Sequence, residues 1–324
     1  MFWNVLLVAG GMALLIKGAD YLVDGASSIA QKFGISTLVI GLTVVAFGTS
    51  APELAVNILS ATAGSTDIAL GNINGSNIAN IFLVLGATAL VTRVPVQSRT
   101  VIKEVPYMLL GGLMLVVVML DVVLGDATES IISRTDGLVL LGFFFIFLYY
   151  LFLSSKDVPA AKIEKTKRPV WISAGLTVMG LVGLVLGGQF TVSGATGLAA
   201  GLGVSESLIA LTIVAIGTSL PELVTAIVAA KKGETDLAVG GVVGSNIFNI
   251  FLVLGTTSVI APIPASTTNL TDALVAFGAM IILLIAIHVG NGFLRDKNKD
   301  VSRNEGLLFI TLYLVYIVFV VIRG

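Results

Sequence analysis

Two glutamates could carry chemistry in this chain: Glu53 and Glu222, each closing a Gly-Thr-Ser-x-Pro-Glu run about midway along an apolar stretch. An ionised carboxylate at that depth in a bilayer is costly unless its charge is compensated. No lysine or arginine falls within either pair of motif-bearing stretches; Lys32, Arg93, Lys231 and Lys232 all sit at their edges. The balancing charge is then a proton, a distant residue such as Lys17, or a bound cation. The neighbours favour the cation. Pro52 and Pro221 have no amide hydrogen, so the carbonyls of Gly48 and Gly217 lose their helical partners. Thr49, Ser50, Thr218 and Ser219 add hydroxyls, while Ser76 with Asn80, and Ser245 with Asn249, are four apart and share a helix face. Asn77 and Asn246 point elsewhere, placed to bridge neighbouring helices. Such oxygen donors suit hard cations, calcium and sodium among them.

Soft-metal chemistry is excluded. There is no cysteine, and the single histidine, His288, falls near a span end as a packed or interfacial residue. Zinc-type sites, thiol catalysis and disulfides therefore drop out. A formal net charge of −1 gives no footprint for nucleic acid.

The elements that must hold these residues are membrane helices. Of 324 residues, 56% are hydrophobic and 11% charged, against roughly 25% charged in a soluble domain. Thirty-six glycines suit close packing of helices in lipid. Hydropathy predicts an all-α membrane protein with ten transmembrane helices, near 3–29, 35–60, 68–91, 104–124, 132–153, 170–199, 204–230, 237–260, 273–292 and 304–322. The first is read as a span that stays, since it has neither a basic leader nor a cleavage site. Within the motif helices, Gly and Pro predict breaks near the bilayer midplane.

Self-comparison exposes a duplication. Thr43–Glu53 and Thr212–Glu222 share eight of eleven residues; Gly71–Gly86 and Gly240–Gly255 share twelve of sixteen, both at an offset of 169. The offset persists at Gly34/Gly203, Asp67/Asp236, Pro95/Pro264 and Ser133-Arg134/Ser302-Arg303. The expected organisation is a five-helix repeat over 1–155, a charged cytoplasmic linker at 156–169 and a second repeat over 170–324. Five is odd, so the second copy must be inverted. Charge supports this: fifteen of eighteen cations fall on one face of the ten-span plan, which becomes the cytoplasmic face. Both termini are then extracytoplasmic. Inverted repeats are the usual scaffold of alternating-access transporters.

Each feature also has a structural reading. A Gly-Thr-Ser-x-Pro kink alone often only bends a helix, and a lone glutamate can be protonated glue; the in-register doubling argues otherwise. Asp20 and Asp24 are not mirrored, their counterparts being Gln189 and Ser193, and Lys17 is expected to pair with Asp20. Asp67 and Asp236 read as helix caps.

The GTSAPE/GTSLPE and GSNIANIFLVLG/GSNIFNIFLVLG pairs resemble the alpha repeats of the cation/calcium exchanger superfamily, most closely the sodium/calcium exchangers and their prokaryotic relatives. The resemblance covers both halves. It implies calcium ligation by Glu53 and Glu222 with the carbonyls of Thr49 and Thr218. It implies sodium sites at the Ala46 carbonyl, Ser50 and Ser76, and at the Ala215 carbonyl, Ser219 and Ser245, with Asn80 and Asn249 at the central polar positions. Potassium-dependent relatives carry aspartate at the position of Asn249, so asparagine there implies potassium independence. The implied activity is electrogenic Na+/Ca2+ exchange by a prokaryotic inner-membrane antiporter, with Ca2+ and Na+ as substrates, lipid as surroundings, and neither cofactor nor required protein partner. The first and sixth spans, with Gly10, Gly11, Gly18, Gly180, Gly183, Gly187 and Gly188, are expected to slide over the motif helices. Proton/calcium antiport on the same fold stays open because both glutamates could titrate. A passive channel is disfavoured by the mirrored motifs. An intramembrane protease, and enzyme activity generally, is disfavoured because Gly-Thr-Ser lacks a general base.

Overall fold

A computed structural model describes residues 1–124, 129–155, 168–203, 215–289 and 300–323. Most of the linker expected at 156–169 lies outside the described residues, as do the start of the seventh span and residues 212–214 of its motif. The helices are α1 (Phe2–Phe33), α2 (Thr37–Thr49), α3 (Ala51–Thr62), α4 (Thr66–Val91), α5 (Glu104–Val117), α6 (Arg134–Ser154), α7 (Val170–Gly201), α8 (Ala215–Thr218), α9 (Leu220–Lys231), α10 (Thr235–Ile260), α11 (Thr267–Val289) and α12 (Arg303–Arg323). Eight of these are long and apolar enough to cross a membrane, and the bent pair α2/α3 makes a ninth span among the described residues. The described part of the seventh span, α8 and α9, completes the ten-helix plan. Two boundaries move. The fourth helix stops at Val117, short of 124, and the ninth begins at Thr267 instead of 273.

Local signals explain where helices start and stop. Ser133 and Asp136 form a capping box ahead of α6, and Ser302 with Glu305 repeats it ahead of α12. Among the described residues, the four glycines with positive φ are two repeat pairs: Gly34 and Gly203 after α1 and α7, and Gly64 and Gly233 in the turns after α3 and α9. A left-handed residue ends a helix there, which a Cβ would resist.

The inversion is visible in packing. Cβ atoms added at Gly11, Gly18 and Gly25 of α1 would strike α7 at Gly187–Thr191, Gly180–Leu184 and Ser173–Thr177 in turn. Rising numbers on one helix meet falling numbers on the other, so the first helices of the two halves are antiparallel. This corrects one expectation. Gly11, Gly18, Gly180, Gly183 and Gly187 seat α1 and α7 on each other, not on the motif helices; Gly188 lies beside Pro221, and a Cβ at Gly10 would meet nothing within 4 Å. Two short antiparallel ribbons share the symmetry. β1 (Val94–Pro95) pairs with β4 (Asp300–Val301), and β2 (Ser130–Ile132) with β3 (Ile263–Ala265), each joining one half to the other. At the centre lie α4 and α10, 78% and 89% buried over their apolar windows against 28% for α1 and α7. The motif helices are the core of the bundle.

Candidate cation site

The Gly-Thr-Ser-x-Pro-Glu run is a helix start placed inside the membrane. α2 ends at Thr49, Ser50 leaves helical geometry, and α3 sets off at 43° to it. Ser50 takes the N-cap position, Pro52 falls in the first turn and Glu53 is the third helical residue; Ser219, Pro221 and Glu222 repeat this in α9. Proline suits the first turn because no helical acceptor awaits its missing N–H. Each carboxylate thus stands at the positive end of one helix segment, while the carbonyl-bearing, negative end of the preceding segment faces the same break. An ordinary N-cap serine would spend its hydroxyl on the backbone. Here neither Ser50 nor Ser219 does so.

The two halves meet at these residues. The Thr49 hydroxyl lies 3.4 Å from the Ser245 hydroxyl, and Thr49 and Glu222 line one pocket. α3 packs on the wide-turned stretch of α10 that holds Asn249, and α9 packs on the corresponding stretch of α4, Asn80–Leu85. Each glutamate helix therefore rests on the asparagine segment of the other half. Asn80 donates its amide nitrogen to Asn246 Oδ1 at 3.0 Å, and Asn249 donates to Asn77 Oδ1 at 3.4 Å. Asn77 and Asn246 do bridge helices, and their partners are the two site asparagines. With those nitrogens committed, Asn80 and Asn249 keep their oxygens.

What remains is a set of buried oxygens with nothing bonded to them. Thr49, Ser50, Glu53, Ser76, Asn80, Ser219, Glu222, Ser245 and Asn249 are all buried. Among the described residues, Ser50 Oγ, Glu53 Oε2, Ser76 Oγ, Asn80 Oδ1, Ser219 Oγ, Glu222 Oε2 and Asn249 Oδ1 lack any hydrogen-bond partner. Orphaned polar atoms at this density are costly; these seven are oxygens, and beside them the amide nitrogens of Asn57 and Asn77 are also unpartnered. Ala46 ends a wide turn in α2 and is fully buried, its carbonyl accepting the Ser50 N–H at 3.0 Å; Ala215 and Thr218 form the matching turn of α8. Glu53 and Glu222 lie within electrostatic reach of one another. No described lysine or arginine forms an ion pair with either. Lys17 is 70% exposed at the surface, removing it as a counter-charge.

A family model described as sodium/calcium exchanger protein matches the chain twice, over residues 3–153 and 172–322. The chain belongs to the sodium/calcium exchanger family. The exchanger is 38% identical over 326 residues to CaxA of Alkalimonas amylolytica, covering 98% of each chain. It is 38% identical over 272 residues to inner membrane protein YrbG of Escherichia coli (strain K12), 79% of each chain. A solved structure of the sodium-calcium exchanger NCX_Mj superposes with a TM-score of 0.82 at 32% identity, covering 98% of each chain. The exchanger is thus an integral membrane transporter, not an enzyme.

The acidic pair on α1 has the expected partner at long range and a second, closer one. Lys17 stands 4.0 Å from Asp20, whereas Lys232, in the turn between α9 and α10, reaches Asp20 and Asp24 at 2.6 Å each. The repeat mate of Lys232 is Ala63, so this latch exists on one face of the exchanger only. Burial pulls the Lys232 ammonium down, but the hydrogen bonds and charges of Asp20 and Asp24 outweigh it and hold its pKa above the ordinary lysine value. The latch is then complete below about pH 10 and weakens as pH rises through the raised value. All three groups are part-exposed, so Lys232→Ala should cost no more than about 1 kcal/mol. Thermal unfolding in detergent at pH 7 checks this; a larger drop would mean that the turn is held mainly by Lys232. Asp67 and Asp236 do not cap their helices. They lie in the first turn, two residues past the N-cap, and Asp236 accepts from Gln97 at 2.5 Å.

Proposed function

We propose that this chain exchanges sodium for calcium across a prokaryotic inner membrane by alternating access. The observation that carries the reading is the pair of buried carboxylates, without a basic partner among the described residues, amid unpartnered oxygens from both halves. One Ca2+ balances the two negative charges, held by Glu53 and Glu222 with the carbonyls of Thr49 and Thr218. Sodium ions balance them in turn, taken up by the Ala46 carbonyl, Ser50 and Ser76 on one side and the Ala215 carbonyl, Ser219 and Ser245 on the other. Asn80 and Asn249 offer neutral oxygens at the centre, which favours a cycle independent of potassium and moving net charge.

Electrostatics couples the two fluxes. A doubly ionised site without cargo is too costly to seal away from water, so reorientation requires calcium or sodium, and leak is suppressed. Repeats 1–155 and 170–324 act as one transmembrane unit in this scheme, with the linker at 156–169 cytoplasmic and both termini extracytoplasmic. α1 and α7, locked along their glycine seam, move as a pair over the motif helices. The relatives support the scheme: NCX_Mj is a sodium-calcium exchanger and YrbG an inner membrane protein.

The test is calcium uptake into vesicles loaded with sodium. Uptake is expected under an outward sodium gradient and not when potassium replaces sodium on both sides. Equal uptake without sodium, driven by a pH gradient, would transfer the assignment to proton/calcium antiport.

A further inference from the structure

The halves differ next to the carboxylates at two positions, one just past the first motif and one a mismatch within the second. Asn57 lies one turn beyond Glu53 on the same face of α3, and Asn72 lies one turn before Ser76 on α4. At the repeat offset their counterparts are Ala226 and Gly241. In the second half, Ala226 and Gly241 line, with Thr49, Glu222 and Thr225, the pocket that reaches the Glu222 carboxylate. In the first half the corresponding space is crossed by a bond: Asn72 donates its amide nitrogen to Asn57 Oδ1 at 2.6 Å. Asn57 is fully buried, and its own amide nitrogen has no partner.

We propose that Asn57 and Asn72 form a gate on the approach to the site from the α3–α4 turn, closed when their amides are bonded and open when they part. The proposal rests on the exchanger reading above. The choice of residue suits a gate that ions must pass. An apolar plug would offer nothing to a cation shedding its water, and a carboxylate would trap it. An amide seals the path with one neutral hydrogen bond, and can then turn its oxygen toward the ion. The unmet nitrogen of Asn57 leaves the closed form incompletely satisfied, so the closed state is poised instead of locked. The approach from the α9–α10 turn has only Ala226 and Gly241 at these positions, so this gate belongs to one face.

Removing the bond should bias the transporter toward the state open at the α3–α4 turn, with opposite effects on the two faces. The experiment measures apparent calcium affinity at each face, in right-side-out and inside-out vesicles, for Asn57→Ala and for the milder Asn72→Ala. Affinity is expected to tighten about fivefold at the α3–α4 face and to weaken by a similar factor at the other, the worth of one buried hydrogen bond. Stabilisation of the purified protein by calcium against heat shows whether each variant is folded and its site intact. Unchanged affinities at both faces, or a parallel loss at both in a folded variant, overturn the gate. Absence of sodium-dependent uptake by the unsubstituted protein would instead overturn the exchanger reading.

Discussion

Glu53→Gln and Glu222→Gln should each reduce calcium transport by about 100-fold or more. Both glutamates are buried, and neither has an ion pair with a lysine or arginine among the described residues. Glutamine keeps the shape and one oxygen but halves the charge that opposes Ca2+. Removing one partner of a buried ionic set costs about 3–5 kcal/mol, or roughly 100- to 4,000-fold in affinity at 1.4 kcal/mol per decade. The same change should have the opposite effect on the ion-free protein. Two carboxylates ionised together in this buried centre without cargo would be costly, and a neutral amide removes one of those charges. The expected pattern is a thermal midpoint that holds or rises without calcium, together with loss of stabilisation by calcium. A glutamate that merely glued helices would give the reverse: lower stability and residual transport. Wild-type transport by either variant would remove that residue from the site.

The second large effect comes from two glycines that the repeat makes equivalent and the structure does not. Gly75 and Gly244 each precede the site serine in the Gly-Ser-Asn run. A Cβ at Gly75 would meet nothing within 4 Å, whereas one at Gly244 would lie 2.7 Å from Ala46 Cβ and 2.9 Å from Leu42 Cα. The obstacles are short side chain and backbone, so α2 and α10 must separate. That displaces the Ala46 carbonyl and parts Thr49 from Ser245, now 3.4 Å apart. Gly244→Ala should cost about 1–3 kcal/mol from overpacking and lower transport about tenfold or more, as the site opens along this seam. Gly75→Ala should be neutral or slightly stabilising, since alanine is the better helix former by about 1 kcal/mol. Thermal unfolding and calcium uptake on the two variants together decide it. Equal behaviour would mean that the close approach of α2 and α10 is not needed for function.

Much of the molecule was legible because membranes simplify the problem. Long apolar runs must become helices where no water can satisfy the backbone, and an odd-numbered repeat must invert. The offset of 169 therefore foretold the inversion, while the α1/α7 seam, the doubled capping boxes and the paired left-handed glycines appear only in the structure. Glu53 and Glu222 stood out for the same reason, since a carboxylate deep in lipid demands an explanation. The signal for Asn57 and Asn72 was also present, as the two places where asparagine faces Ala226 and Gly241 across the repeat. It carried no weight until the pocket beside Glu222 was seen.

Sequence alone determined the architecture and the chemical character of the centre: helical spans, inverted halves, oxygen donors and two uncompensated charges. These follow from composition, periodicity and the solvation cost of charge, all local to the chain. Tertiary structure decided which oxygens stay unbonded. Whether Asn80 presents oxygen or nitrogen depends on Asn246, 166 residues away, and that Lys232 joins Lys17 at Asp20 depends on how a distant turn docks on α1. Hydrogen bonds and ion pairs form between groups that close packing brings within a few ångströms, and repeat symmetry, obeyed by the sequence motifs, is broken by the side chains that fill the space around them.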